Sequence, residues 1–381
     1  MDIMDSMSLP PILSVEDLKT ISHSFYSELQ AAHEGKQNSL SFLIHKLPLP
    51  PLIKDGSQIQ VMVFGGTIFK TALFQKKEGK LIQLGNESEK KTPLFVDKNT
   101  FVNFAFHERI ENIQYLSINF AYPITPVLNN GLLDGILLRG TKEHRFAGLI
   151  GECIGKTIQE AIMEDIKTPI HVTVANDAVC LALSEANKTN WNEVVGGIVG
   201  TGTNYAITLP NRIVINLESG NFNAFSLSES GKQIDIESTD RGRQLIEKEI
   251  SGGYLFKHYN YHIKKESIDS LLLTSTTQLS EIAKNSTHAG SKIAQSILKR
   301  SAGLVAAQMA GIYMFKSRLA GSNRSTHLAF VMEGNLFWNG WDYKVNVERY
   351  LYDLGLGEAI SITKNEHHSI KGALTLLIGL S

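Results

Sequence analysis

A short β-rich run interrupted by glycine and threonine occurs twice in this chain, as VMVFGGTIFKTALF around Gly65 and as GGIVGTGTNYAITL around Gly200, about one domain length apart. Each reads as two strands joined by a turn too small to carry bulk, so another group can approach the backbone. Two similar α/β units, each opening on such a hairpin, are the arrangement this repeat predicts. Two unrelated glycine-rich hairpins would leave the same trace. At 381 residues, with about 150 per domain, the chain is long enough for two to three units with cores of their own.

Lys and Arg number 37 against 38 Asp and Glu, giving a net charge of −1 with 20% charged residues. No polyanion-binding face is advertised, which argues against nucleic acid as a partner. The two cysteines, Cys153 and Cys180, allow at most one bridge, and the opening MDIMDSMSLP lacks the basic flank and apolar run of a secretory leader. No apolar run approaches the roughly 18 residues of a membrane span. The expectation is a reduced, soluble, cytoplasmic protein with no integral membrane segment.

From Ser14, the spacing of Val15, Leu18, Ile21, Phe25 and Leu29 predicts an amphipathic helix with Ser14 as its N-cap. Pro48, Pro50, Pro51 and the Asp55-Gly56 turn signal mark a connector. Beyond it the β-rich runs QIQVMVF, TIFKTALF, IQYLSINFAY and PIHVTVA alternate with helix-like stretches such as AGLIGECIGKTIQEAIMED, as an α/β architecture requires. After GGIVG, TNYAITL and RIVINL the chain turns helical from about Gln244 to Phe315.

Gly65, Gly66, Gly200 and Gly202 leave backbone NH groups accessible, and Thr67, Thr201 and Thr203 add hydroxyls. Such turns hold phosphate oxygens without lysine. No GxxxxGK[ST] string occurs, and Tyr205 stands where a dinucleotide fingerprint starting at Gly200 needs its third glycine. In HVTVANDAVCLALSEANK a strand runs into an apolar-periodic helix, leaving Asn176 and Asp177 at the junction. A carboxylate there serves as a helix cap, or as a general base that takes the proton of an attacking hydroxyl. Glu218 in INLESGNF and Glu247 in RQLIEKEISG stand beside strand or helix ends, where solvation accounts for most carboxylates. Thr141 and Lys142 in LLRGTKEHRF read as a polar turn, yet the combined set suits a polyol pocket that pairs with adjacent hydroxyls. Metal and nucleophile alternatives fail on spacing. His258 and His262 lack the glutamate of HExxH, His367-His368 is a lone pair, and no GxSxG string occurs.

Taken in order, these segments resemble the hexokinase family, from the helix near Leu18 to Gly372. VFGGTIFK looks like the family's first phosphate motif, NFAYPI and LLRGTKEH like its sugar-binding segment, and VANDAVCLAL like the segment with the catalytic aspartate. GGIVGTGTNYAI looks like the second phosphate motif, followed by INLESGNF and GRQLIEKEISGGYL; HLAFVMEGNLF looks like the adenosine segment and IKGAL like the closing string. The resemblance implies the two-domain α/β fold of sugar kinases, actin and Hsp70-type ATPases, a duplicated ribonuclease H-like fold with an interdomain cleft. It places a small domain at 40–175 rejoined by 364–381, and a large one at 1–39 and 176–363.

The implied activity is phosphorylation of glucose or a similar hexose at its 6-hydroxyl by ATP with magnesium. Asp177 would be the base, and Thr141, Lys142, Asn176, Asn204, Glu218 and Glu247 would contact the other hydroxyls. Gly65, Gly66, Thr67, Thr201 and Gly202 would lie against the ATP phosphates, with Lys70 in place of the family's arginine and Gly334 in the adenosine pocket. Val63 stands where the family carries an aspartate, and Ile68 replaces an asparagine. An apolar side chain holds no metal-bound water, and loss of one preorganised electrostatic contact costs on the order of 100- to 1000-fold in rate. A hexose-binding regulatory protein with weak or no catalysis is therefore the alternative, and an actin-like or chaperone-like ATPase a third reading. Ala121, Glu143 and Glu333 are milder departures.

Overall fold

The computed structural model describes residues 9–141, 144–166, 169–186, 190–321, 326–364 and 367–379. Along the chain these form α1 (Val15–His33), β1 (Leu43–Lys46), β2 (Gln58–Phe64), β3 (Ile68–Lys77), β4 (Lys80–Lys91), α2 (Lys98–His107), β5 (Tyr115–Phe120), β6 (Ile124–Asn129), β7 (Leu132–Leu137), α3 (Ile154–Ile166), β8 (His171–Asn176) and α4 (Asp177–Leu183). There follow β9 (Val194–Val199), β10 (Thr203–Leu209), β11 (Ile213–Asn216), α5 (Glu229–Glu237), α6 (Leu245–Ile250), α7 (Leu255–Lys265), α8 (Thr276–Lys284), α9 (Ser291–Ala320), β12 (Leu328–Glu333), α10 (Asn335–Asn339), α11 (Tyr343–Asp353), β13 (Ile360–Thr363) and α12 (His368–Ile378).

The chain divides into two compact units, one of Met1–Phe42, Gly197–Tyr205 and Leu217–Lys364, the other of Leu43–Gly196, Ala206–Asn216 and Asn365–Ser381. The backbone passes from one to the other inside β9 and again inside β10.

In the unit that begins at Leu43, a five-stranded sheet runs in the order β4-β3-β2-β5-β8. β2 pairs antiparallel with β3 and parallel with β5, which pairs parallel with β8. Every residue of β5 is buried, as expected of a parallel strand covered on both faces. Helix α12 lies against it: the Ser117 hydroxyl donates to the Ala373 carbonyl (2.6 Å) and the Asn119 amide to that of Ser369 (3.3 Å). The same unit holds an aromatic core, with Phe64, Phe101, Phe120, Tyr122 and Phe146 in edge or tilted contact. The buried Asp134 carboxylate accepts from the amides of Gly155 (2.7 Å) and Lys156 (2.9 Å), satisfying the start of α3.

The other unit is built on α9, thirty residues buried along most of its length. Ser14 and Asp17 form a capping box at the start of α1, with the Asp17 amide donating to Ser14 Oγ (3.1 Å) and the Ser14 amide to Asp17 Oδ2 (2.9 Å). Leu18, Ile21, Phe25 and Leu29 are buried as their spacing predicts, whereas Val15, the first helical residue, is 39% exposed. A Cβ on Gly311 of α9 would stand 2.9 Å from both Phe25 and the Ser22 carbonyl, so α1 and α9 approach to backbone distance. β12 and β13 pair in parallel within this unit.

Candidate active site

Strand β8 ends and α4 begins between Asn176 and Asp177, as the switch from strand to helical periodicity predicts. Asn176 is the cap: its backbone is extended and its Oδ1 accepts from the Ala178 amide (3.0 Å). Asp177 is the first helical residue, half-buried, and its Oδ1 accepts from the same amide (2.9 Å). A helix start favours a charged carboxylate. The Asn176 side-chain amide donates to the Tyr122 carbonyl (3.5 Å). The Tyr122 phenol titrates above its ordinary range, through burial first and the negative charge of Asp177 second. Tyr122 thus belongs to the surroundings of Asp177, although it appeared in the sequence only as part of NFAYPI.

Thr141 is half-buried, and its carbonyl accepts from the His144 amide (3.0 Å). Lys142, its expected partner, lies outside the described residues, as does Glu143. The loop is shaped by Gly140, where a Cβ would fall 2.1 Å from the His144 carbonyl oxygen, and by His144, whose Nδ1 accepts from the Phe95 amide (3.0 Å).

The first glycine turn joins β2 to β3 in the same unit. Its Gly65 amide donates to the Ile68 carbonyl (3.1 Å), and a Cβ on Gly65 would meet that oxygen at 2.5 Å. Thr92 pins the turn from outside, its hydroxyl donating to the Gly65 carbonyl and its amide to that of Thr67, both at 2.9 Å. Gly66 is half-buried and Thr67 exposed. Lys70 stands directly across the ladder from Val63, and its ammonium lies 3.5 Å from the Glu89 carboxylate. Both partners are exposed enough for water and salt to screen the pair. Val63 is only 7% exposed and Ile68 is 38% exposed, so the apolar replacement at 63 is part of the packed strand.

In the other unit backbone hydrogen bonds stitch the second glycine turn together. Gly200 N donates to the Gly202 carbonyl (2.9 Å), Gly252 N to that of Gly200 (2.7 Å) and Gly253 N to that of Thr201 (3.1 Å). Gly334, at φ +118°, closes the cluster: a Cβ there would lie 2.1 Å from the Val199 oxygen, and one on Gly200 would lie 3.3 Å from Gly334 Cα. Glu247 reaches into the same place. Its Oε2 accepts from the Thr203 amide (2.9 Å), and a Cβ on Gly202 or Gly220 would stand 2.9 Å or 3.2 Å from that oxygen. Asn204 Oδ1 accepts from the amides of Tyr205 (2.8 Å) and Ser219 (3.2 Å), which sets the turn carrying Glu218 in its left-handed conformation.

Gly200, Thr201, Gly202, Asn204, Glu218, Glu247 and Gly334 are therefore neighbours in one unit. Thr203 differs from its expected part: it is buried and its amide is occupied by Glu247, so Thr201, which is exposed, is the hydroxyl this turn presents. Gly220, Gly252 and Gly253 complete the cluster. Gly252 and Gly253 are the paired glycines of ISGGYL, which the sequence reading gave no role of their own.

Among the described residues no group of three or more His, Cys, Asp and Glu side chains is arranged to hold a metal ion. Among the described residues no helix is long and apolar enough to cross a membrane. The hexokinase family model matches residues 194–257 and 258–378. Rat (Rattus norvegicus) Hexokinase-3 is 28% identical over 281 residues, covering 66% of this chain and 30% of that relative. Across the curated relatives the matched segments span from 29% to 55% of the relative's own length.

Among solved structures, a hexokinase from Schistosoma mansoni complexed with glucose superposes with a TM-score of 0.73 at 19% identity, covering 96% of this chain and 95% of the other. A ROK family glucokinase from Streptomyces griseus in complex with glucose and AMPPNP gives 0.53 at 16% identity, covering 84% and 99%. Two α/β units with these sheets and glycine turns define a two-domain sugar-kinase fold. Within that class, the chain is similar to the hexokinase family over residues 194–378.

Proposed function

We propose that the protein transfers the γ-phosphoryl group of MgATP to the 6-hydroxyl of a hexose such as glucose. The observation that carries this reading is the placement of Asp177. Asn176 is the cap of the helix, and Asp177, whose Oδ1 accepts from the same Ala178 amide, is a half-buried carboxylate on the first turn of a buried helix. In this reading Asp177 takes the proton as the hydroxyl oxygen attacks phosphorus. Thr141, Lys142, Asn176, Asn204, Glu218 and Glu247 hold the remaining hydroxyls. The turns at Gly65–Thr67 and Gly200–Gly202, with Lys70 and Gly334, take the nucleotide, and magnesium arrives with its phosphates.

A coupled assay for hexose 6-phosphate tests this over a panel of sugars. Asp177→Ala is expected to lower kcat by roughly 100- to 10,000-fold with hexose binding retained; equal rates from both proteins reject the assigned base.

The second reading is a hexose-binding regulatory protein with little turnover, and the burial of Val63 favours it. A side chain packed into β2 offers no oxygen to the phosphates or their metal. It predicts that glucose raises the melting temperature while MgATP is not consumed, and that Val63→Asp gains activity on the order of 100-fold.

A further inference from the structure

Helix α6 has only six residues, and it starts from Gln244 in the left-handed conformation with no side-chain cap. So short a helix does not hold its own direction, yet it carries Glu247. The two residues that follow Glu247 are both charged and both buried. The Lys248 side chain is fully buried, and its Nζ lies 2.8 Å from Asp235 Oδ1, 3.0 Å from Asp240 Oδ1, 2.9 Å from Ser238 Oγ and 2.9 Å from the Arg243 carbonyl. The segment from 235 to 243 is wrapped around one ammonium, and the Gly242 amide closes it onto Asp235 (2.9 Å). Glu249 faces another way: it accepts from the Ser228 amide (2.6 Å) and from Arg300 Nε of α9 (2.9 Å).

The Lys248 carbonyl is held as well. It can only accept, so His258 Nε2 carries the proton and donates to it (2.8 Å), while His258 Nδ1 accepts from the Ser230 hydroxyl (2.8 Å). Buried ion pairs give little net stability compared with well-packed apolar residues. What several directional bonds on one peptide do supply is a fixed orientation.

We propose that Lys248, with Asp235 and Asp240, and Glu249, with Arg300, are positioning residues for Glu247. They hold α6 so that the Glu247 carboxylate stays on the Thr203 amide, and in doing so they set hexose affinity. The second half of this statement rests on the hexose reading above; the first half does not.

The test compares wild type with Lys248→Met, Lys248→Arg and Asp240→Asn, the last removing one carboxylate that is partly exposed. Two readouts are taken: hydrogen exchange at the Thr203 amide without sugar, and glucose affinity by calorimetry. Lys248→Met and Asp240→Asn are expected to speed Thr203 exchange and weaken glucose binding, each by about 10-fold or more. Lys248→Arg is expected to recover part of both. In turnover the hexose KM rises while kcat and the MgATP KM hold.

Leu279→Ala, a buried position in α8, supplies a variant destabilised without touching α6. If it weakens glucose as much at equal loss of melting temperature, the role is merely structural and the inference is overturned. Unchanged Thr203 exchange in the folded variants also overturns it. If exchange responds but wild type binds no hexose, it is the hexose reading that fails. Should Lys248→Met not fold, Asp240→Asn decides alone.

Discussion

A single methyl group is enough to unseat the last helix. A Cβ on Gly372 would fall 1.7 Å from the Cys180 carbonyl oxygen in α4, a contact that only backbone movement relieves. Gly372→Ala is expected to cost about 1–3 kcal/mol or more, read by urea denaturation. Because α4 carries Asp177, the variant should lose the proposed hexose phosphorylation, if that reading holds, before it loses its fold. The glycine was legible as part of IKGAL, but the reason for it lies in a helix nearly two hundred residues away.

Charge tells a similar story. His45 is fully buried, and burial pushes its imidazole down to about 4 from the usual 6.5. The unfolded chain therefore takes up a proton that the folded one refuses between those values, so this contribution is complete above about pH 6.5 and fades as the pH falls toward 4. It amounts to about 3 kcal/mol. Burial depresses His258 and His262 in the same direction. Denaturation midpoints should fall between pH 7 and 4, and His45→Gln should flatten the slope; a slope unchanged by that substitution would remove His45 from the account.

At the scale of elements, the helices that announced themselves did so through their ends. Ser14 caps α1 as predicted and Asp17 adds the reciprocal bond that the sequence reading did not name, and Ser14→Ala should cost about 1 kcal/mol, seen as a lower melting temperature. The β8–α4 junction was legible because the apolar period changes there from two to between three and four. The short helix α6 was not. Three charged residues in six read as a solvated face, and the groups that bury them, Asp235, Asp240, Ser228 and Arg300, are scattered along the sequence. Propensity sees neighbours in the chain, whereas these are neighbours only after folding. Tyr122 was hidden for the same reason, since nothing in NFAYPI says which carboxylate its phenol will sense.

At the scale of the molecule, the doubled hairpin predicted two units that each open on a hairpin. There are two units, but the Gly200 hairpin is divided between them and opens neither, so the path of the chain was not legible. The backbone leaves one unit within β9 and returns within β10, and no proline or linker composition marks such crossings, because they fall inside regular strands. The candidate residues divide accordingly. Asp177, Asn176, Thr141 and the Gly65 turn belong to one unit, while Asn204, Glu218, Glu247, the Gly200 turn and Gly334 belong to the other. If the proposed hexose reading holds, glucose should raise the melting temperature of wild type and raise it less in Glu247→Gln. A shift of equal size in both proteins would detach Glu247 from sugar binding.

The packing of α1 on α9 has a consequence for biosynthesis. The oily stripe of Leu18, Ile21, Phe25 and Leu29 leaves the ribosome before the long helix that covers it, which emerges only after some 250 to 300 further residues. At about 5–20 residues per second, that is a wait on the order of 15 to 60 s. During that interval the nascent segment is a natural client for chaperones, and efficient production of the protein should depend on them more than its final stability suggests.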